Sequence, residues 1–459
     1  MKKKVLILIT ICMLTLLVFV GGCQSKSFEV NQHQALDVGD KAYSYMELMS
    51  TDYADRTFGM GKDKLVAVYL AKKLSEWGYT PQDSKIDGVA GINEYTSYVT
   101  ADENANTGKG YNVVFSKKAV GESRGEIILS AQYDNLYSHK TYGTTADGSY
   151  ESGASIGALL TLAELIKDKD MPFDLTIAFF DGGSLNWTGS AYFVSQMDVV
   201  RMDNILLAVD FANIVGGDYN YAYSIDKATD YGKFFDTINK VDSLGMKAVP
   251  ADKRIANGML IEDGLYSYFH TGMLSNNIFL MNKGVPTLTL MSLNWSDKSV
   301  PSRVEMKGKE NVYQTPADNF GNLKNRVGEE KIKSSLNSFV SLIYNALVLE
   351  QNMLVDSLAT ARDQMPSHMA QNYLTNTILS IGLKILTVVA MVVVMSKFRK
   401  IVNKDRDKYM QKIANAQEKQ HEEPIDVFGF DAPKNESTTN ADNNKTDGTN
   451  NNDDVFDGF

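Results

Sequence analysis

The sequence predicts an exported α/β domain with a largely parallel sheet covered on both faces, followed by one transmembrane helix and a disordered tail. Three observations carry this prediction. Short β-rich runs alternate with helical stretches between about Phe28 and Leu349. An apolar run covers Thr377–Met395. Residues 420–459 carry ten Asp/Glu against two Lys and few apolar side chains, too few to bury a core.

Within the first region, Asp40–Met49 and Lys62–Gly78 place apolar residues at helical spacing, with Leu65, Val68, Leu70, Leu74 and Trp77 along the second. Strands are expected at Tyr111–Ser116, Glu126–Ala131, Asp174–Phe180, Asn204–Phe211 and Thr287–Met291. Helices are expected at Ser155–Lys167, near Ser190–Met197, at Phe234–Leu244 and at Glu330–Leu349. The Gly/Asn-rich stretch Gly272–Lys283 interrupts the pattern, and no solenoid-like repeat is visible.

The two ends set the expected compartment. Residues 2–4 are Lys-Lys-Lys, followed by the apolar run Val5–Val20 and Gly21-Gly22-Cys23, which reads as a secretory signal over residues 1–22. Val20-Gly21-Gly22-Cys23 resembles the lipobox of bacterial lipoproteins, which implies lipidation of Cys23; an uncleaved signal anchor is the alternative. The chain's other cysteine, Cys12, lies inside the signal. The run at 377–396 reads as a transmembrane helix whose Lys384 reaches the outer boundary. Residues 397–419 form a basic segment, whereas Arg362 is the only Lys or Arg in the 16 residues before the span, so the tail is expected in the cytoplasm. The tail holds two similar islands, Asp426-Val427-Phe428-Gly429-Phe430 and Asp454-Val455-Phe456-Asp457-Gly458-Phe459. Phe428, Phe430, Phe456 and Phe459 are read as docking positions for a cytoplasmic protein, two copies raising avidity. Chance recurrence in a low-complexity tail is the alternative.

The 459 residues, 44% of them hydrophobic, suffice for a full core. A net charge of −10 with no basic aromatic stripe argues against a nucleic-acid partner.

In open α/β sheets, ligands sit outside the carboxyl ends of the strands. The residues there are Gln132-Tyr133-Asp134, Asp181-Gly182-Gly183-Ser184 and Asp210, joined by Glu151 and by Gln314-Thr315-Pro316-Ala317-Asp318. Taken alone, acidic and amide residues at strand ends are common. Their order, together with Arg56-Thr57-Phe58-Gly59, Tyr111-Asn112-Val113-Val114 and Glu151-Ser152-Gly153-Ala154-Ser155, resembles the M28 family of zinc aminopeptidases across roughly residues 36–345. The resemblance implies a three-layer sandwich with a mostly parallel mixed sheet, spanning about residues 30–350.

The family's chemistry uses two zinc ions held by two His and three carboxylates, with a Glu as general base. The resemblance implies Gln132 and Gln314 at the two His positions, Glu151 at the bridging Asp, and Gly183-Ser184 at the Glu pair of base and ligand. Asp210 matches the remaining carboxylate ligand, and Asp134 the Asp that orients the first His. Amide oxygens are feeble zinc ligands beside imidazole, and Gly183 has no group to accept a proton. The five histidines, including His33, His139 and His270, read as solvated rather than as replacement ligands.

The expected function is therefore a membrane-anchored, catalytically inactive peptidase-like domain that binds an extracytoplasmic peptide or protein, needs no cofactor and is linked to a cytoplasmic partner by its tail. The alternatives are a divergent M28 metallopeptidase that retains zinc, an all-oxygen Ca²⁺ or Mg²⁺ site on Asp134, Glu151 and Asp210, and a passive exported spacer carrying a working tail.

Overall fold

The computed structural model describes residues 27–82, 84–98, 107–136, 146–224, 230–247, 255–256, 259–262, 265–266, 275–294, 305–306, 310–359, 361, 391 and 394–415. The chain divides into two compact units, Met1–Leu374 and Thr375–Phe459.

The first unit is built on an eight-stranded sheet. Its strands are β1 (Thr80–Pro81), β2 (Ile92–Tyr98), β3 (Thr107–Lys117), β4 (Glu126–Gln132), β5 (Asp174–Phe180), β6 (Ile205–Phe211), β7 (Tyr219–Ser224) and β8 (Thr287–Leu293). The order is β1-β3-β5-β4-β6-β8-β7, with β2 also paired to β3. The four central strands β5, β4, β6 and β8 run parallel. Antiparallel pairs close both sides: β3 against β5, and β7 against β8. The expected mixed, mostly parallel sheet is thus present.

Every residue of β4 and of β8 is buried, as central strands covered on both faces require. Alternation along the strands feeds two cores. Ile127, Leu129 and Ala131 of β4 join Leu207, Val209 and Phe211 of β6 in the larger one. Ile128 and Ala208 point the other way, into a smaller core with Phe180, Phe193 and Leu280.

The helices are α1 (Gly39–Thr51), α2 (Lys62–Glu76), α3 (Ala154–Ile166), α4 (Thr188–Ser195), α5 (Val199–Asn204), α6 (Asp230–Val241), α7 (Ile278–Asn282), α8 (Phe320–Val327), α9 (Glu329–Tyr344) and α10 (Gln351–Leu358). Residues from α1, α2, α3, α6, α9 and α10 cover the larger core; Phe193 of α4 and Leu280 of α7 contribute to the smaller one. Helix α3 is buried on nearly every side, and its Gly157 lets α1 approach, since a Cβ there would overlap the Ala42 carbonyl. Residues Glu329–Leu349 are long and apolar enough to cross a membrane, but Ile332, Leu336, Phe339, Val340 and Ile343 spend that hydrophobicity on the core.

Several expectations shift. Strands β2 and β7 and helix α5 lie in stretches where no element was expected, because half-exposed edge elements carry mixed polar and aromatic residues and no clear period. The core also runs past residue 350: Leu354, Val355, Leu358 and Ala361 are buried in it. His33, read as solvated, is partly exposed but paired. Its Nε2 lies 2.8 Å from Glu350 Oε1, and its backbone N–H donates to Asp242 Oδ1 at 2.7 Å. The Leu36 and Val38 N–H groups donate to Ser341 Oγ and Asn337 Oδ1, both at 3.0 Å, so side chains of α9 satisfy an extended N-terminal segment that has no strand partner.

In the second unit, residues 394–415 form one exposed helix. The signal at 1–22, Cys23, His139, His270, most of the run at 377–396 and the tail positions Phe428, Phe430, Phe456 and Phe459 lie outside the described residues.

Candidate functional site

The carboxyl ends of β4, β5 and β6 bring the expected residues to one end of the sheet. Gln132 closes β4, with Asp134 two residues on, and Gly183 and Ser184 follow β5. Glu151 sits on a π-helical turn, Ser149–Gly153, that leads into α3. Such a wide turn is a recurrent device for aiming a side chain at a site.

Glu151 is the hub. It is 4% exposed, and its Oε1 accepts from Gln132 Nε2 at 3.3 Å and from Gln314 Nε2 at 3.2 Å. Its Oε2 accepts from the Leu136 N–H at 3.0 Å. Burial, aided by the nearby Asp134 charge, pushes its carboxyl up to about 7. Both amides that occupy the expected imidazole positions thus turn their N–H₂ ends onto this carboxylate. Gln314 does so from a left-handed backbone, φ 55°, a conformation that a non-glycine residue rarely adopts.

Asp134 is fully buried and accepts from the Gly183 N–H at 2.8 Å, the Ser184 N–H at 3.1 Å and Ser184 Oγ at 2.5 Å. It ties the β4 end to the β5 end directly, and burial raises it to about 6. Gly183 abuts Gln132: an ideal Cβ would overlap its Cγ, Cδ and Oε1, so a side chain at 183 would require the Gln132 amide to move.

Asp210 stands apart from this network. Ser130 Oγ donates to it at 2.7 Å, the Asn276 N–H at 3.1 Å and Asn276 Nδ2 at 3.2 Å. Burial raises its carboxyl. Thus Gln132, Asp134, Glu151, Gly183, Ser184 and Gln314 share one network, whereas Asp210 has its own.

Beneath the network lies Arg56, fully buried. Its Nε donates to the Tyr133 carbonyl at 2.7 Å, and its terminal nitrogens to the Asp147 and Gly148 carbonyls at 2.7 and 2.8 Å and to Ser152 Oγ at 2.8 Å. The guanidinium thereby joins the β4 loop to the turn that carries Glu151, and its charge favours ionisation of Asp134, Asp147 and Glu151. Asp318 holds the same turn from the other side, accepting from the Tyr150 and Glu151 N–H groups at 2.7 and 2.9 Å. Sequence reading placed Arg56 and Asp318 in shared segments without giving them these roles, and it missed Ser130 and Asn276. Ser130 lies directly opposite Asp210 on the neighbouring parallel strand, a register that the sequence does not display.

This donor set does not fit a pair of zinc ions. The amides present N–H groups toward Glu151, Asp134 is capped by Gly183 and Ser184, and Gly183 supplies no proton acceptor. An all-oxygen cation would likewise have to displace the donors already bonded to Asp134, Glu151 and Asp210. A cavity of about 580 Å³ lies at the opposite ends of the strands, and its charged walls are paired internally, Glu126 with Arg201 and Lys118 with Asp174, both at 2.8 Å.

Residues 112–333 match the family described as Peptidase family M28. Among solved structures, the chain is similar to BSAP, a zinc aminopeptidase from Bacillus subtilis, at 11% identity and TM-score 0.48, covering 70% of this chain and 97% of that one. It is similar to Porphyromonas gingivalis glutaminyl cyclase at 16% identity and TM-score 0.46, covering 67% and 98%. A Zn-dependent exopeptidase from Parabacteroides distasonis shares 16% identity at TM-score 0.45, covering 69% and 100%. No curated protein matches the chain.

Proposed function

Residues 112–333 are a peptidase M28 family domain, and on that premise we propose that this domain is a non-hydrolytic member which binds a peptide or protein segment outside the cytoplasm. The observation that carries the reading is the amide pair on Glu151. Gln132 and Gln314 both donate to Oε1, so the positions that the resemblance assigns to metal ligands take part in an internal hydrogen-bond network. Gly183 stands where the resemblance implies the general base, and a side chain there would require the Gln132 amide to move. Loss of general-base catalysis alone costs about 10²–10⁴-fold in rate.

Membrane anchoring and a cytoplasmic partner complete the proposal. Support for them comes from the sequence: the Cys23 lipobox, the apolar run at 377–396, the basic residues that follow it, and the repeated Phe-bearing islands of the acidic tail. Deleting residues 420–459 tests the tail. Loss of a specific cytoplasmic crosslinked protein is expected, and an unchanged crosslink pattern contradicts the docking role.

The catalytic reading is tested by assaying the purified full-length chain on a panel of aminoacyl and peptide substrates with added zinc. No turnover above that of Asp210→Ala is expected. Turnover that Asp210→Ala abolishes would establish a divergent metallopeptidase instead.

A further inference from the structure

The first and last described segments of the exported domain lie at the amino ends of its central strands, opposite the network around Glu151. Phe28 packs edge-on against Phe234 of α6, with ring centroids 5.8 Å apart. One turn earlier in α6, the Tyr231 hydroxyl donates to the carbonyl of Thr287, the first residue of β8, at 3.3 Å. From the other terminus, Asp356 of α10 pairs with Arg124, two residues before β4, at 3.2 Å. The two segments also touch, since the Asn31 N–H and Nδ2 both donate to Glu350 Oε1 at 3.1 Å. The same end carries Val200 and Val199, 79% and 74% exposed, which open α5 on the way into β6.

We propose that a short N-terminal tether holds this end of the domain against the lipid surface, so that the Glu151 network faces away from the membrane. The inference rests on the proposed N-terminal anchor and deepens the binding reading: a ligand reaches the site from the aqueous side. Five residue steps separate Cys23 from Phe28, and eight separate Val20 from it. At full extension these span at most about 18 and 29 Å, so a lipidated Cys23 or an uncut signal anchor keeps the Phe28 end near the bilayer. A seven-residue strand is about 23 Å long, which sets the site that much farther out. Charge attraction does not hold the face. Lys118 pairs with Asp174 and Arg201 with Glu126, both at 2.8 Å, while Glu122, Asp198 and Asp203 add negative charge. Uncharged lipid is therefore sufficient for the orientation.

The test uses the full-length chain with Cys12→Ser and Cys23→Ser, in which the uncut run Val5–Val20 serves as the tether. A thiol dye is placed at Glu122→Cys or, separately, at Tyr219→Cys. Both positions are exposed: Glu122 lies between β3 and β4 at the amino ends, and Tyr219 opens β7 opposite Leu293, the last residue of β8. The chain is reconstituted in phosphatidylcholine vesicles whose headgroups bear a short-range nitroxide quencher. Loss of most of the dye emission is expected at 122 and none at 219, which stands about 23 Å farther from the lipid. Inserting about 20 Gly/Ser residues between Ser27 and Phe28, a coil of about 25 Å, is expected to restore emission at 122. The proposal is overturned by equal quenching at the two positions, by stronger quenching at 219, by none at either, or by quenching at 122 that survives the insertion. Flotation with the vesicles reports the anchor separately. A chain that does not float contradicts the anchor and this orientation together, whereas one that floats with the wrong order of quenching contradicts the orientation alone.

Discussion

Gly183 lies directly against the amide of Gln132, so closely that a β-carbon on residue 183 would overlap three atoms of the Gln132 side chain. Gln132 ends β4 and Gly183 follows the end of its parallel neighbour β5, and Asp134 fastens the same junction by accepting the Gly183 N–H at 2.8 Å. The junction between these two strand ends is therefore filled by the Gln132 amide and the Asp134 carboxylate.

Gly183→Ala should destabilise the domain by about 1–3 kcal/mol, the usual result of overpacking a filled interior. In a Gln132→Ala background the added methyl has room, so the same substitution should cost far less. A double-mutant cycle on denaturant unfolding measures this coupling, and additive effects would show that the contact is not the source.

Glu151 carries a pH signature. Its folded value near 7 lies above the ordinary 4.5, so the native state holds a proton that the unfolded state has released between those values. Stability contributed by the bound proton is present below about pH 4.5 and is lost as pH rises through 7, a change of about 3 kcal/mol for this group. Glu151→Gln cannot release a proton. The stability difference between wild type and Glu151→Gln should move by that order between pH 4.5 and 7.5, in the direction that favours the variant at high pH. A flat difference across the range would refute the raised value.

Arg56 is the buried cation that joins the β4 loop to the Glu151 turn. Arg56→Met removes the charge and leaves the Tyr133, Asp147 and Gly148 carbonyls without it. A loss of about 3–5 kcal/mol is expected. Calorimetric unfolding of the variant checks the figure, and a change below about 1 kcal/mol would mean that water substitutes for the guanidinium.

Much of this fold is visible in the chain because its central strands are near-continuous apolar runs with turn residues at their carboxyl ends. Glu126–Gln132, Asp174–Phe180 and Ile205–Phe211 show this, and their ends hold Gln132, Gly183 and the Asp210 region. Edge strands such as Tyr219–Ser224 face water on one side and have no such run. The site was legible by position and not by arrangement. Sequence shows amides where the resemblance implies imidazoles, but that Gln132 and Gln314, far apart along the chain, meet on one oxygen of Glu151 is a tertiary fact. The same holds for His33, whose partner Glu350 lies near the other end of the domain.

Restoring ligands should separate binding from chemistry. Gln132→His with Gln314→His places two imidazoles against Glu151, and a gain of at least about tenfold in zinc affinity is expected. Peptide hydrolysis should stay absent because residue 183 still lacks a base. Hydrolysis by this double variant would show that another group can activate water.

The central claim, that the site holds a hydrogen-bond network in place of a metal pair, is tested most directly by titrating the purified full-length chain with zinc at neutral pH and counting bound ions. The account predicts no stoichiometric uptake that Asp210→Ala or Glu151→Gln diminishes. Two zinc ions per chain, lost in those variants, would contradict it.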